Sequence, residues 1–309
     1  MCTAICLGEY GVIGRNLDYE IKFGEQLVMT PRNFPLLYKL LPPESHHAAF
    51  IGMAKLVDGY PLYFDAINEH GVGCIALSFP ESARYSEPRM GRLNLASHEV
   101  IQYIMARAES IGDARLILDR INVTNHAFSE DTPTSPLHWF ISDGESSLVL
   151  ECTESGVQVY DNSVGVLANE PPFPYHMTNL RNYLNLTHGE ATARWGEGLT
   201  PYSRGMGAIG LPGDSSSASR FVRAAFNTSS AKAPDGTDGM TVARHVLGSV
   251  EQIYGTVEVG GRLEYTQYTS VADMRSLTYS VRTYTEEHTT VALRDLPLDE
   301  RLPVCLTKK

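Results

Sequence analysis

The sequence predicts an α+β fold in which extensive β-sheet carries helices on its outer faces. Short apolar runs bounded by Gly, Pro, Asn and Asp fill the first part of the chain, which is strand punctuation. Runs of helical period follow, and strand patterns return toward the end. No linker and no internal repeat divides the chain, so 1–309 reads as a single domain.

The elements follow in order. Residues 2–7 form a first strand, and Gly14-Arg15-Asn16-Leu17-Asp18 comes after a strand-like run. Strands are expected at 26–30, 49–56, 62–68 and 73–79. Val100, Ile101, Ile104, Met105 and Ala108 share one helical face, and Ala114, Ile117, Leu118 and Ile121 share another. With Gly112 between them they read as a helical hairpin on a sheet. Strands return at 138–142, 147–152, 158–160 and 165–168. Met177, Leu180, Tyr183 and Leu184 make 175–186 helical. The Gly- and Pro-rich stretch 189–213 is a long loop, a length that usually serves function or an interface. Helices are expected at 217–226 and 240–254, and Leu277, Tyr279 and Val281 alternate as a strand.

Composition excludes several function classes. Apolar residues make up 43% of the chain, enough for a large core, and charged residues 20%. The net charge of −11 is spread along the chain, with no basic stripe for nucleic acid. The N-terminus lacks the basic segment and apolar run of a secretory signal. No stretch approaches the roughly 20 apolar residues of a membrane span. The expectation is therefore a cytoplasmic protein without membrane contact. Five cysteines, an odd number without a CxxC pair, argue against a disulfide framework or structural zinc. Cys6, Cys74 and Cys152 stand in apolar runs, as small hydrophobes do. His46 and His47 are adjacent, and His70, His138, His176 and His188 lack chelating spacing, so no metal is expected. No GxSxG elbow occurs, and Gly213-Asp214-Ser215 belongs to a serine-rich loop. His70 with Cys74 is adjacency in sequence, a weak sign of a pair in space.

Cys2 stands apart because of its position. A Met before a small residue is commonly trimmed, and the mature chain would then begin with cysteine. Its thiol and free α-amine sit on adjacent carbons and ordinarily titrate within about a unit of each other. One can deprotonate the other, which gives nucleophile and base in one residue. A buried Arg15 near that thiol would favour the thiolate, and Asp18 can accept hydrogen bonds from the amine. Read separately, Cys2 could also be an incidental residue of a frayed terminus, and Arg15 with Asp18 an ordinary ion pair.

Taken together, MCTAICL, GRNLDYE and TPRNF, followed by FDAINEHGVGCIALSFP, LHWFISD, GVLANEPPFPYHMTNLRNY, SRGMGAIGLPGDSSSASRFVRAAF and YTQYTSV, resemble the choloylglycine hydrolase family. That family includes bile salt hydrolases and penicillin V acylases, and these segments stand in its order over most of the chain. The resemblance implies the four-layer αββα sandwich of N-terminal nucleophile hydrolases and a homotetramer, with 189–213 a candidate assembly element. It implies Cys2 as nucleophile, Arg15 as its electrostatic partner, Asp18 as orienter of the α-amine, Asn169 as oxyanion donor and Arg220 as a second active-site arginine. Ser78 departs from the family, which commonly has Asn in bile salt hydrolases, or Tyr in many penicillin V acylases, before Phe-Pro. The oxyanion contribution there is expected from its backbone N–H. Leu17, Phe23, Val57 and Phe128, the last in the loop 126–135, align with family pocket regions and are candidates for substrate binding. The implied reaction is hydrolysis of a glycine- or taurine-conjugated bile salt through a thioester. The alternative is penicillin V or another N-acyl amide. A non-catalytic binding protein would keep the core patterns but lose the set Cys2, Arg15, Asp18, Asn169 and Arg220.

Overall fold

The computed structural model describes the chain except for residues 194, 197, 286, 287, 308 and 309. Among the described residues, two large antiparallel sheets stack face to face. The first runs in the order Val166–Leu167, Cys2–Leu7, Val12–Tyr19, Arg262–Asp273, Thr278–Thr283, Thr289–Ala292, and Val257–Val259 pairs with Arg262–Asp273. The second runs Gly156–Asp161, Ser147–Thr153, Leu137–Ser142, Gly73–Ser78, Asp65–Asn68, Phe50–Val57, Glu25–Thr30, Val304–Cys305, with Tyr60–Tyr63 on Phe50–Val57.

Helices cover both outer faces. α1 (Val100–Arg107) and α2 (Ile111–Leu118) bury Ile101, Ile104, Met105, Ala114 and Leu118 against the second sheet. α3 (Phe173–Leu180) packs beside α4 (Ser217–Thr228), which lies with α5 (Gly239–Gly248) over the first sheet. The layers are helix, sheet, sheet, helix, the αββα sandwich that the sequence led us to expect. Between the sheets, Ile13, Leu27, Met29, Ile51, Ile75 and Phe140 form an apolar core.

Local chemistry sets the helix ends. The Ser216 hydroxyl accepts from Ser219 N and starts α4, and Asp238 accepts from Thr241 N and starts α5. α5 stops at Gly248, short of the expected 254, because Gln252 instead pairs with Thr266 of the first sheet. The segment expected to be helical over 175–186 is α3 followed by the short turn Arg181–Tyr183. Ile121 leaves the face of α2 and opens the strand Ile121–Thr124, parallel to Leu93–Ala96. The expected strand 62–68 is interrupted at Phe64. Stretch 189–216 holds only the short turn Met206–Ala208 among its described residues.

The largest departure is Val12–Tyr19, a strand that continues through Gly14, Arg15, Asn16 and Asp18, all buried. Close packing beneath it is strict. A Cβ on Gly52 would lie 1.9 Å from the Asp65 carbonyl oxygen. Gly52→Ala is therefore expected to cost about 3 kcal/mol, the upper end of ordinary overpacking, read as a fall in the urea midpoint at unchanged slope.

Candidate active site

Strand register brings Cys2 and Arg15 together. Cys2 faces Leu17 and Ala4 faces Arg15 across the hairpin, so the cysteine and the arginine are diagonal neighbours on one face. That face looks into the space between the sheets. Asn16 and Asp18 alternate to the other face, toward α4 and α5, where the Asn16 amide donates to the Leu247 carbonyl. Arg15 and Asp18 are thus on opposite faces and do not form the ordinary ion pair that their spacing allowed.

Arg15 is fully buried, and its Nη2 donates to Cys2 Sγ at 2.8 Å. Its Nη1 donates to the carbonyls of Ala76 at 2.9 Å and Phe64 at 3.1 Å, which the interruption at Phe64 presents. Asp65 Oδ2 lies 3.8 Å from Nη1 and accepts from the Tyr268 hydroxyl. The Tyr279 hydroxyl donates to Oδ1 of the same carboxylate. Burial works against the Arg15 cation, but the acidic groups lining its seat, Tyr268, Cys2 and Asp65, push its pKa up and keep it charged. We expect Arg15→Ala to move the pH profile of Cys2 alkylation by iodoacetamide to higher pH, because a neighbouring cation favours the thiolate. At neutral pH the rate should fall about tenfold or more. An unchanged profile would show that Arg15 does not tune the thiol.

On the opposite face, Asp18 Oδ1 accepts from the Thr266 hydroxyl at 2.6 Å. Its Oδ2 is buried without a hydrogen-bond partner among the described residues, 3.9 Å from Arg220 Nη1. Burial raises the Asp18 carboxyl, against the pull of Arg220, the N-terminal ammonium and Thr266. Arg220, brought in by α4, donates through Nη1 to the Cys2 carbonyl and the Thr3 hydroxyl. Burial lowers its pKa and Asp18 opposes that. Met1 precedes this site, with its ammonium on Glu264 Oε2 at 3.0 Å and on the Asp18 carbonyl.

The Asn169 side chain joins the two sheets. Its Oδ1 accepts from Cys2 N at 2.7 Å and Arg220 Nη2 at 2.8 Å. These donors settle which end is the oxygen, so Nδ2 is the end that donates to the Ser78 carbonyl, at 2.8 Å. The Asn169 backbone is pinned as well: N donates to Ser217 Oγ at 2.8 Å, and His176 Nε2 donates to its carbonyl at 2.9 Å. Ser78 ends the strand Gly73–Ser78. Phe79 N donates to Pro136 O, and Leu137 N turns to the Tyr85 hydroxyl, so Ser78 and Leu137 form a non-hydrogen-bonded ladder pair. In such a pair N–H and C=O point away from the partner strand. The Ser78 N–H is therefore on the side where its carbonyl meets Asn169.

Of the other sequence-predicted residues, Leu17 stands beside Cys2. Leu17 is directly across from it, and Phe23 packs between Tyr19 and Phe64 at ring distances of 4.8 and 5.5 Å. Val57 and Phe128 are grouped around Tyr60. Val57 pairs with Tyr60, whose ring stacks on Phe128 at 5.6 Å, and Phe128 also meets His98. Sequence reading missed Asp65, Thr266, Tyr268, Tyr279 and Glu264, although Thr266 and Tyr268 lie inside the YTQYTSV segment. The remaining buried thiols are poor nucleophiles: burial pushes Cys6 up to about 11, Cys152 up to about 12, and Cys74 further.

A buried cysteine opening the first strand of a four-layer αββα sandwich is the arrangement of an N-terminal nucleophile hydrolase. The model of the linear amide C–N hydrolases of the choloylglycine hydrolase family matches residues 2–305. The chain belongs to that family and is a hydrolase of linear amide C–N bonds. It is 42% identical over 290 residues to the bile salt hydrolase/transferase of Lactiplantibacillus plantarum, covering 92% of this chain and 89% of that one. It is 40% identical over 273 residues to the conjugated bile acid hydrolase of Lactobacillus gasseri, covering 86% of each. A variant of the conjugated bile acid hydrolase of Clostridium perfringens superposes with a TM-score of 0.92 at 30% identity, covering 100% of this chain and 97% of that one. The penicillin V acylase of Agrobacterium tumefaciens shares the fold at 17% identity, with a TM-score of 0.78, covering 98% of this chain and 90% of that one.

Proposed function

We propose that the chain hydrolyses the amide bond of glycine- or taurine-conjugated bile salts, with Cys2 as nucleophile once Met1 is removed. The observation that carries the mechanism is the Cys2 thiol held at 2.8 Å by the guanidinium of a buried arginine. Relatives named for bile salts at 40% and 42% identity support the substrate. So does the apolar and aromatic surface of Leu17, beside the thiol, and Tyr19, Phe23 and Phe64, which suits a steroid.

The freed α-amine takes the thiol proton. It is oriented by Asn169 Oδ1 and by the open Oδ2 of Asp18. The thiolate attacks the amide carbonyl, and the tetrahedral oxyanion forms against Asn169 Nδ2 and the Ser78 N–H. The C–N bond breaks as the ammonium protonates the leaving amino group. Water then hydrolyses the thioester by the same proton route. No cofactor takes part.

The test is a comparison of initial rates on glycocholate, taurocholate and penicillin V, repeated in Ser78→Asn and Ser78→Tyr. We expect the conjugated bile salts to be cleaved faster, since Ser78 offers no aromatic partner to a phenoxy ring, a contact worth about 0.5–1.5 kcal/mol. A native preference for penicillin V would overturn the substrate and leave the cysteine chemistry standing. The same reading makes the protein a cytoplasmic tetramer. Among the described residues no helix is long and apolar enough to cross a membrane. Exposed Leu184, Trp195, Leu199, Tyr202 and Ile209 in and around 189–213 support assembly there. Light scattering reads the count, and a monomer would remove that part of the reading.

A further inference from the structure

The mechanism above leaves a well-bonded acid next to Asn169 unused. Glu170 follows Asn169, and its carboxylate reaches the chain just beyond Ser78. Oε1 accepts from the backbone N–H of Glu81 at 2.9 Å and of Ser82 at 3.0 Å. Oε2 accepts from the Ser82 hydroxyl at 2.6 Å. A carboxylate taking two successive backbone donors and a hydroxyl makes charge-assisted bonds, roughly twice as strong as neutral ones. Beyond this turn the chain is tied down again, since Ala83 N donates to the Phe79 carbonyl and Arg84 N to the Cys152 carbonyl.

The two proposed oxyanion donors come from different sheets. Ser78 ends a strand of the second sheet, while Asn169 follows Val166–Leu167 at the edge of the first. No local backbone geometry fixes the gap between them. Among the described residues, the other hydrogen bond joining the two segments is Asn169 Nδ2 to Ser78 O. That bond runs from the donor itself to the Ser78 carbonyl, and the Glu170 bonds add a second tie between the same segments. Oxyanion donors act over about 2.7–3.1 Å, so small errors in the gap are felt.

We propose that Glu170 is a positioning residue, a clasp between the two sheets that sets the spacing of Asn169 Nδ2 and the Ser78 N–H. The inference rests on the reading of those two groups as the oxyanion donors. Glu170 touches neither substrate nor thiol and acts through its neighbours.

The experiment uses the full chain lacking Met1 and compares Glu170→Ala, Glu170→Gln, Asn169→Ala and the double variant Glu170→Ala/Asn169→Ala. Steady-state kinetics are measured on glycocholate, or on whichever amide of the panel the native enzyme cleaves. Alkylation of Cys2 by iodoacetamide is the control, because that displacement builds no oxyanion. Glu170→Ala should lower kcat about tenfold, a fraction of the roughly 10²–10³ lost with an oxyanion donor. KM should stay within about twofold, and alkylation should be unchanged. Glu170→Gln should recover most of the loss, since its amide oxygen can accept both backbone N–H groups. In the Asn169→Ala background, Glu170→Ala should cost no more than about twofold, because a clasp has nothing left to position. Should Glu170→Ala fail to fold, Ser82→Ala removes one of the three bonds and should give a few-fold fall in kcat with the same KM and alkylation behaviour. Full additivity, or parallel losses in kcat and alkylation, or an unchanged kcat in Glu170→Ala, overturns the clasp. If Asn169→Ala itself keeps native kcat, the oxyanion reading falls first and independently of Glu170.

Discussion

Cys2→Ala is expected to abolish turnover, a fall on the order of 10⁶, the scale seen when a covalent nucleophile is deleted. Arg15, Asn169 and Arg220 all hydrogen-bond to this residue, and in the proposed mechanism each acts through its sulfur. The fold should survive. Cys2 is 2% exposed, and replacing Sγ by hydrogen mainly leaves Arg15 Nη2 without that acceptor. An orphaned buried donor costs about 1–3 kcal/mol, small beside the loss of activity. Activity measured alongside the thermal unfolding midpoint separates the two effects. Substantial turnover in a folded Cys2→Ala protein would sink the nucleophile assignment.

The same logic applies to Met1. While Met1 is present, the Cys2 nitrogen is an amide that donates to Asn169 and cannot take up the thiol proton. The intact mass of active protein should therefore lack Met1, and a Met1-bearing chain should be inert toward amides. Full activity in that longer chain would remove the amine from the mechanism and leave the thiol in search of another base.

How far this was legible in the sequence depends on which forces act at each residue. The strand Cys2–Leu7 was plain, because five of its six residues besides Thr3 are small or apolar and all are buried. The next strand was not, because Gly14, Arg15, Asn16 and Asp18 are poor strand formers by type. Tertiary partners override that preference: Arg15 takes a thiol and two carbonyls, Asn16 takes Leu247, and Asp18 takes Thr266. Local consistency fails where the site is built, which is where such failure is expected. The YTQYTSV segment hid a second device. By strict alternation Thr266 and Tyr268 share a face. A register shift between them sets Thr266 against Asp18 and Tyr268 against Leu17, on opposite faces. Tyr268 can then support Asp65 beneath Arg15 while Thr266 holds Asp18. Asp65 and Glu170 act across sheets, over separations that periodicity cannot see.

Asn169→Ala is expected to lower turnover by roughly 10²–10³ while KM changes little. The reason lies in how the amide is wired. Its oxygen accepts from Cys2 N and Arg220, which assigns the other end as the donating nitrogen, and that nitrogen lies beside the carbonyl of Ser78. One hydrogen of Nδ2 goes to that carbonyl, and the other, without an acceptor among the described residues, can meet charge developing beside the Ser78 N–H. A ground-state carbonyl draws weakly on such a donor and a tetrahedral oxyanion strongly, so the loss should appear in kcat. Truncation also frees Cys2 N and one arm of Arg220, which could disturb the nucleophile as well. Alkylation of Cys2 by iodoacetamide separates the two, since it needs the thiolate and builds no oxyanion. Alkylation within about threefold of native, beside a kcat lowered about a hundredfold or more, places the effect at the oxyanion. A kcat that hardly falls would make Asn169 a turn residue before Glu170-Pro171, and the Ser78 N–H would have to hold the oxyanion without it.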